Sequence, residues 1–145
     1  MNDKYIVYFI SRTRKKMISF IEKQLLENGL DGLIPSHGNI LTALYENNGK
    51  LTMKRIAEIT GKDKSTITPL VNKLLELGYI TKIKDQTDKR VTYIILTSEG
   101  NRIKDKYKAI SNEVYATAYK DFSQEEKEIF LKLLKKINNN FNSTT

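Results

Sequence analysis

The sequence predicts a mainly α-helical fold that carries one small β element, and two features of its patterning indicate this. Apolar residues recur at three- and four-residue steps through most of the chain, which is typical of amphipathic helices. Between residues 79 and 96 the period changes to two, and β-branched and aromatic residues dominate, which is typical of two strands. A length of 145 residues suits one domain of this kind.

Capping residues and glycines predict the ends of the first three helices. A long helix is expected over residues 4–28, before Gly29. Ser36 is the expected N-cap of the second helix. Thr52 is expected to cap a third, short helix that ends at about Ile59.

The remaining elements follow from the same signals. A fourth helix is expected from about residue 63 to residue 77, followed by strands over 80–84 and 91–96 with a charged turn between them. Thr97 is expected to cap a long helix that ends at about residue 119, and Ser123 with Glu126 forms a capping box for the last helix.

Composition excludes several classes of site. The chain has no cysteine, which excludes disulfides, cysteine-ligated zinc and thiol nucleophiles. His37 is the single histidine, and we expect it to cap or pack a helix rather than to bind a ligand. No glycine-rich phosphate loop, nucleophile–base set or metal-ligand spacing is present, so we expect no catalytic residue, no metal, no cofactor and no enzyme activity.

The charge favours a polyanionic partner. Twenty-five Lys and Arg residues against 17 Asp and Glu residues give a net charge of +8. This charge suits nucleic acid first and an acidic membrane surface second, and its density is highest over residues 62–90, where we expect the functional surface. The apolar run over residues 5–10 is short and precedes its cations, so we expect neither a signal peptide nor a membrane span, and a cytoplasmic location.

The spacing of Ala57, Gly61 and Ile67 predicts a helix-turn-helix. The motif needs a small residue where two helices touch, a glycine in the turn and an apolar residue facing the first helix. A helical hairpin with a solvated outer face fits the triplet as well. In the helix-turn-helix interpretation, the second helix would offer hydrogen-bonding groups to base edges and cations to phosphates through Lys64, Ser65, Thr66, Thr68, Asn72 and Lys73.

Pro69 leaves two alternatives open for this second helix. A proline inside a helix removes one backbone hydrogen bond and favours a kink. Either the helix begins late, so that Pro69 lies in its first turns, or a bend aims its N-terminal end into a DNA groove.

A hairpin with a basic tip directly follows the predicted helix-turn-helix, and this order is typical of a winged helix-turn-helix. Its tip is expected to contact DNA, with Arg90 in the minor groove and Asp88 holding the guanidinium by a charge-assisted pair. Lys84 and Lys89 lie beside that tip. The full expectation is a mainly α fold with a small β wing, a winged helix-turn-helix with N- and C-terminal dimerisation helices.

The wing also resembles a known family. Asp88-Lys89-Arg90, then five residues, then Leu96-Thr97-Ser98-Glu99-Gly100 is similar to the D-x-R-x5-L-T-x-x-G signature of MarR-type regulators, and residues 65–80 resemble their recognition helix. The resemblance implies a homodimer that regulates transcription at palindromic double-stranded DNA sites. It also implies a small-molecule effector, so we expect a repressor that its ligand relieves. The cysteine of the peroxide-sensing branch is absent, which excludes that mode of sensing.

Apolar stripes outside the winged helix are expected to form the dimer. A monomer would expose them, and large apolar patches are rare on soluble monomers. The predicted division is 1–34 for an N-terminal dimerisation helix, 35–97 for DNA binding and 98–145 for C-terminal dimerisation helices, within one structural unit. The expected dimerisation residues are Phe9, Ile10, Phe20, Ile129, Phe130, Leu133, Leu134 and Ile137.

Two other classes of function remain open at this point. A winged helix can serve protein contact or sequence-neutral DNA binding, and a specific palindrome bound no better than other DNA would indicate this. A basic peripheral membrane protein is less favoured, because no helix separates its cations from its large apolar residues as such anchors do.

Overall fold

The computed structural model describes residues 2–142, so that residue 1 of the first predicted domain and residues 143–145 of the last lie outside the described residues. The chain divides into two compact units between Ser111 and Asn112. The three-part division predicted from the sequence stays a prediction. The elements, in order, are α1 (Tyr5–Glu27), α2 (Pro35–Tyr45), β1 (Lys50–Thr52), α3 (Met53–Thr60), α4 (Lys64–Glu76), β2 (Ile80–Lys84), β3 (Thr92–Leu96), α5 (Ser98–Arg102), α6 (Lys104–Ala118) and α7 (Gln124–Asn140).

Most predicted helix starts are confirmed by their caps. The Thr52 hydroxyl accepts a hydrogen bond from the Arg55 backbone N–H at 3.0 Å, which begins α3. Ser123 and Glu126 form the predicted capping box, with bonds of 3.1 and 2.9 Å, at the start of α7. These caps satisfy backbone donors that a helix leaves unpaired at its first turn.

The prediction that Ser36 caps α2 is wrong. The helix begins at Pro35, and Ile34 is its N-cap. Proline suits the first helical position because its N–H would be unpaired there and its φ is already helical. The side-chain part of the cap comes from His37, whose Nδ1 accepts the Ile34 N–H at 2.9 Å. The expectation that His37 caps or packs a helix is therefore confirmed.

The sheet has one strand more than predicted. The order is β1-β3-β2, and both pairings are antiparallel. The predicted hairpin is present, with Ile80 opposite Leu96 and Lys84 opposite Thr92. The extra strand β1 pairs Lys50 with Ile95. Three residues are too few to show a two-residue period, so the sequence does not indicate this strand.

The expected long helix after Thr97 is divided into α5 and α6, with a break at Ile103. Thr97 caps it as predicted, since its hydroxyl accepts the Gly100 N–H at 3.1 Å. Gly100 lies so close to the Tyr79 carbonyl oxygen that an added Cβ would collide with it. Glycine is therefore required where α5 lies against the backbone of Tyr79, between α4 and β2.

The core of the first unit lies between α2, α3, α4 and one face of the sheet. Each fully buried aliphatic side chain contributes about 1.5–3 kcal/mol relative to its exposed state. The largest fully buried side chains are Leu25, Ile40, Leu41, Leu44, Ile56, Ile67, Val71, Leu74 and Ile94.

The second unit is organised around α7, and none of this helix's residues is buried. Before the helix, Asp121 adopts a left-handed conformation with φ of 66°. The rings of Tyr119 and Phe122 pack edge to face at 5.7 Å, and Phe122 packs on Phe130 at 6.1 Å. An aromatic cluster thus covers the start of α7.

Titration of His37 should make the stability of the fold depend on pH. Burial lowers the pKa of His37 from 6.5, and the Lys73 ammonium lowers it further. Below about pH 6.5 the unfolded chain therefore binds more protons than the folded chain, so the free energy of unfolding should fall as the pH falls. Urea unfolding followed by circular dichroism between about pH 7 and about pH 5 measures this.

The control for this prediction is His37→Gln. Glutamine at this third helical position can accept the Ile34 N–H but does not titrate. The variant should keep the helix and lose the dependence on pH in that window. Equal losses of stability in the two proteins would contradict the assignment.

Candidate nucleic-acid interface

The turn between α3 and α4 has the geometry that the predicted helix-turn-helix requires. Gly61 adopts a left-handed conformation with φ of 67° and ends α3. The Lys62 N–H donates to the Ala57 carbonyl at 3.1 Å, and Ile67 is fully buried. The scaffold formed by Ala57, Gly61 and Ile67 is thus found in the structure, with α3 packed against α4.

Asp63 fixes the first turn of α4. One of its carboxylate oxygens, Oδ1, accepts the Ser65 hydroxyl and the Thr66 backbone N–H, both at 2.8 Å. These hydrogen bonds, first of all the one from Ser65, hold the pKa of Asp63 below its ordinary value. A carboxylate at a helix N-terminus also interacts favourably with the helix dipole. The N-cap of α4 therefore carries a negative charge, which lies between the cations Lys62 and Lys64.

One face of α4 is core and the other is open. Ile67, Val71 and Leu74 are fully buried at helical spacing. Of the side chains predicted to contact DNA on this helix, Lys64, Ser65, Thr66 and Asn72 are exposed, whereas Thr68 and Lys73 are half-buried. The Thr68 hydroxyl donates to the Lys64 carbonyl at 2.8 Å, and Lys73 lies 3.9 Å from Glu76.

The structure decides one of the alternatives for Pro69. The helix begins at Lys64, so the idea that it begins late is wrong and Pro69 lies in its interior. A proline at this position lacks the N–H that would have bonded the Ser65 carbonyl four residues earlier. The hydrogen-bond ladder of α4 is therefore interrupted one turn from its start.

The wing tip holds an arginine in a fixed orientation. Arg90 Nε donates to Asp88 Oδ1 at 3.0 Å and a terminal nitrogen donates to Oδ2 at 3.2 Å, while the Arg90 backbone N–H donates to Oδ1 at 3.1 Å. The predicted pairing of these residues is thus found in the structure. The guanidinium keeps the pKa of Asp88 below its ordinary value. The Arg90 side chain is nevertheless 90% exposed.

Within the described residues, the two lysines near the wing tip, Lys84 and Lys89, are not held by a carboxylate as Arg90 is. Lys84 ends β2 and Lys89 lies in the turn, and both are exposed. The hairpin closes below them through a 2.9 Å bond from the Asp85 N–H to the Val91 carbonyl. Wing and α4 belong to the same compact unit, where β2 packs against α4.

One residue of this region was missed from the sequence. Asp63 was assigned no role, although an Asp at the start of a helix is a capping signal that the sequence displays. Its hydrogen bond to Ser65 could not be inferred, because it depends on the side-chain rotamers of both residues.

The residues predicted for dimerisation are accessible within each unit. On α1, Phe9 and Ile10 are exposed and Phe20 is half-buried. Of the residues predicted on α7, Ile137 is half-buried, and the exposed ones are Ile129, Phe130, Leu133 and Leu134.

Residues 2–142, the part of the chain that the structure describes, contain neither a metal-binding cluster nor a membrane span. Within this range no group of three or more His, Cys, Asp or Glu side chains is placed to hold a metal ion. No helix in the same part of the chain is long and apolar enough to cross a membrane.

Comparison with known sequences gives a consistent family. A model of the MarR family matches residues 31–91. The HTH-type transcriptional regulator SarZ of Staphylococcus haemolyticus is 39% identical over 101 residues, which are 69% of this chain and 67% of that protein. Proteins of the same name from Staphylococcus aureus are 35% identical over 78 residues, and the chain spans 53% of their length.

Comparison with solved structures gives the same fold. The PcaV transcriptional regulator of Streptomyces coelicolor, solved with its natural ligand, has a TM-score of 0.83 at 20% identity, over 93% of this chain and 92% of that one. A mutant of MarR from E. coli, complexed with operator DNA, has a TM-score of 0.78 at 18% identity, over 91% and 92% of the two chains. Together with the sequence matches, the common architecture assigns the chain. It belongs to the MarR family and is a DNA-binding helix-turn-helix transcriptional regulator rather than an enzyme.

Proposed function

We propose that this regulator binds palindromic operators sequence-specifically as a homodimer and acts as a repressor that a small ligand releases from DNA. The observation that carries the proposal is the Asp88–Arg90 pair at the wing tip. An arginine that is 90% exposed contributes little to the core, yet three hydrogen bonds hold it in place. Such a guanidinium is oriented for an outside partner, and a narrow minor groove attracts one strongly.

The outer face of α4 is the second part of the proposed DNA interface. Its short polar side chains, Thr66, Thr68 and Asn72, suit base edges, whereas the ammonium group of the exposed Lys64 suits phosphates. Lys84 and Lys89 on the wing would add phosphate contacts. Such contacts set register and affinity, and the short groups set sequence preference.

Apolar side chains support the homodimer. Residues on α1 and on α7 are left exposed within their own units, including Phe9, Ile10, Phe130 and Leu133. Pairing them with a second copy across a two-fold axis would remove them from water. A dimer would also place two copies of α4 about 34–36 Å apart, which is the half-site spacing of a palindrome.

Ligand control rests on comparison alone. PcaV was solved in complex with its natural ligand, and the fold is shared. We infer that a small molecule would shift this protein between arrangements that fit the operator differently, since a ligand acts only through unequal affinity for two states.

Arg90→Ala should weaken operator binding by about 1–3 kcal/mol, because it removes a pre-oriented cation from the minor groove. Arg90→Lys should recover only part of this, since lysine lacks the planar fork. Asp88→Ala should weaken binding less than Arg90→Ala, because it frees the guanidinium without removing it. Fluorescence anisotropy with an operator duplex measures each affinity.

Lys23→Ala is the matched control for the loss of one positive charge. Lys23 lies on α1 and is exposed. Its removal should change affinity little. An Arg90→Ala protein with unchanged circular dichroism and unchanged affinity would refute the wing assignment.

Phosphate contacts and base contacts should separate in their dependence on salt. Lys84→Ala and Lys89→Ala should each lower the slope of log affinity against log salt by about 0.9. Thr68→Ala and Asn72→Ala should keep the slope and change which base pairs are preferred. If Thr68→Ala lowers affinity for all duplexes equally, Thr68 does not read a base.

Leu133→Asp should disrupt the homodimer, because it places a charge within the exposed apolar stripe of α7. The expected result in analytical ultracentrifugation at micromolar concentration is a monomer that has lost tight operator binding. Asn138→Asp adds the same charge at an exposed polar position of α7 and should leave the dimer intact. A wild-type monomer that binds a palindrome tightly would contradict the arrangement.

A further inference from the structure

Two hydroxyl groups on α4 have already donated their hydrogens inside the protein. Ser65 Oγ donates to Asp63 Oδ1 and Thr68 Oγ1 donates to the Lys64 carbonyl, both at 2.8 Å. A hydroxyl has one hydrogen and two lone pairs. What Ser65 and Thr68 offer to an outside partner is therefore an acceptor and not a donor.

The hydrogen bond to Asp63 favours this orientation of the Ser65 hydroxyl over alternatives in which it donates to DNA. Its partner Asp63 stays ionised, because hydrogen bonds from Ser65 and Thr66 lower its pKa. A bond to a charged acceptor is stronger than a bond to a neutral base atom. A DNA phosphate is charged as well, but the Asp63 carboxylate repels it. Neither a base acceptor nor a phosphate is thus a better partner for this hydrogen.

Pro69 adds a further acceptor to the same turn. Because proline has no N–H, Pro69 supplies no donor for the Ser65 carbonyl four residues before it. The carbonyl and hydroxyl oxygens of Ser65 both belong to the exposed N-terminal end of α4. Beside the Lys64 ammonium and the N–H groups of the first turn, the first two turns of the helix thus also present hydrogen-bond acceptors.

Only two groups in the major groove can donate to such a surface. These are the N6 amino group of adenine and the N4 amino group of cytosine, whereas guanine and thymine present acceptors there. We propose that Ser65, held by Asp63, and Thr68 accept hydrogen bonds from these amino groups, so that affinity at each of the two contacted base pairs depends on the amino group of its adenine or cytosine. This inference rests on the proposed sequence-specific DNA binding. Asp63 is a positioning residue in it, because it acts through Ser65.

The test is selection from a random-sequence duplex library by the full chain, followed by deletion of single amino groups from the selected duplex. Wild type, Ser65→Ala and Thr68→Ala identify the two contacted positions as those where preference is lost. Purine then replaces adenine, or a 4-deamino analogue replaces cytosine, at each position. We expect deletion of the amino group at either position to lower the affinity of the wild-type protein about tenfold. Ser65→Ala should lose no affinity from the deletion at the Ser65 position, and Thr68→Ala should lose none at the Thr68 position.

Substitution of Asp63 tests the positioning role. Asp63→Asn keeps an oxygen that can accept from both Ser65 and Thr66, and asparagine caps a helix as well as aspartate. It should weaken the dependence on the amino group at the Ser65 position less than Asp63→Ala does, because the neutral amide oxygen still accepts from Ser65 but holds it less strongly. Asp63→Ala frees the Ser65 hydroxyl to donate as well, to guanine O6 or thymine O4, so deletion of the amino group should cost this variant little affinity at that position. Thr52→Ala is the control for loss of a cap, because it removes the cap of α3 and should leave base preference unchanged.

The outcomes separate this inference from the proposed function. A wild-type protein that loses no affinity when the amino group is deleted from the Ser65 and Thr68 base pairs would overturn the inference alone. So would a consensus that neither Ser65→Ala nor Thr68→Ala changes, or a preference at the Ser65 position that Asp63→Ala and Asp63→Asn alter equally. If the wild-type protein enriches no sequence at all, the proposed function fails and the inference fails with it.

Discussion

Burial of one face of α4 determines what the opposite face can present. Ile67, Val71 and Leu74 are fully buried against the rest of the first unit, and truncation of such aliphatic side chains costs about 2–5 kcal/mol each. Advancing the helix by one residue would rotate it by about 100°, which would expose these three side chains and bury polar ones. The core thus fixes the rotational position of Ser65 and Asn72 on the outer face.

A second constraint ties the wing to the end of the same helix. The Thr97 hydroxyl donates to the Gly78 carbonyl at 2.6 Å, and the Tyr45 hydroxyl donates to the Gly100 carbonyl at 2.6 Å. Gly100 lies against the Tyr79 carbonyl, where no side chain fits. The L-T-x-x-G part of the wing signature therefore has a structural explanation, because threonine and glycine join the wing to the end of α4.

The sequence predicted the elements that depend on neighbouring residues and did not predict those that depend on residues far apart in the chain. The turn at Gly61 and the cap at Thr52 depend on residues a few positions apart, and both were predicted. The strand that contains Leu51 depends on pairing with residues more than forty positions later, which no local pattern reports. The wrong prediction at Ser36 concerns a local feature as well. The helix start is formed by Pro35 at the first helical position and by His37, which accepts the Ile34 N–H, rather than by the Ser36 side chain. In the interface, residue types indicated which side chains face outward. The orientation of the Ser65 and Thr68 hydroxyls depends on the three-dimensional position of their acceptors, which the sequence does not give.

The two carboxylates of the interface are informative because they oppose its charge. A protein of net charge +8 attracts DNA of any sequence, and this attraction raises specific and non-specific affinity together. Asp63 and Asp88 each reduce that attraction on the segments we propose to contact DNA, and each holds one neighbour in place, Ser65 or Arg90. Specificity is a difference between two affinities. A negative charge that weakens general binding while fixing the orientation of a contact increases that difference, even where it lowers the total affinity.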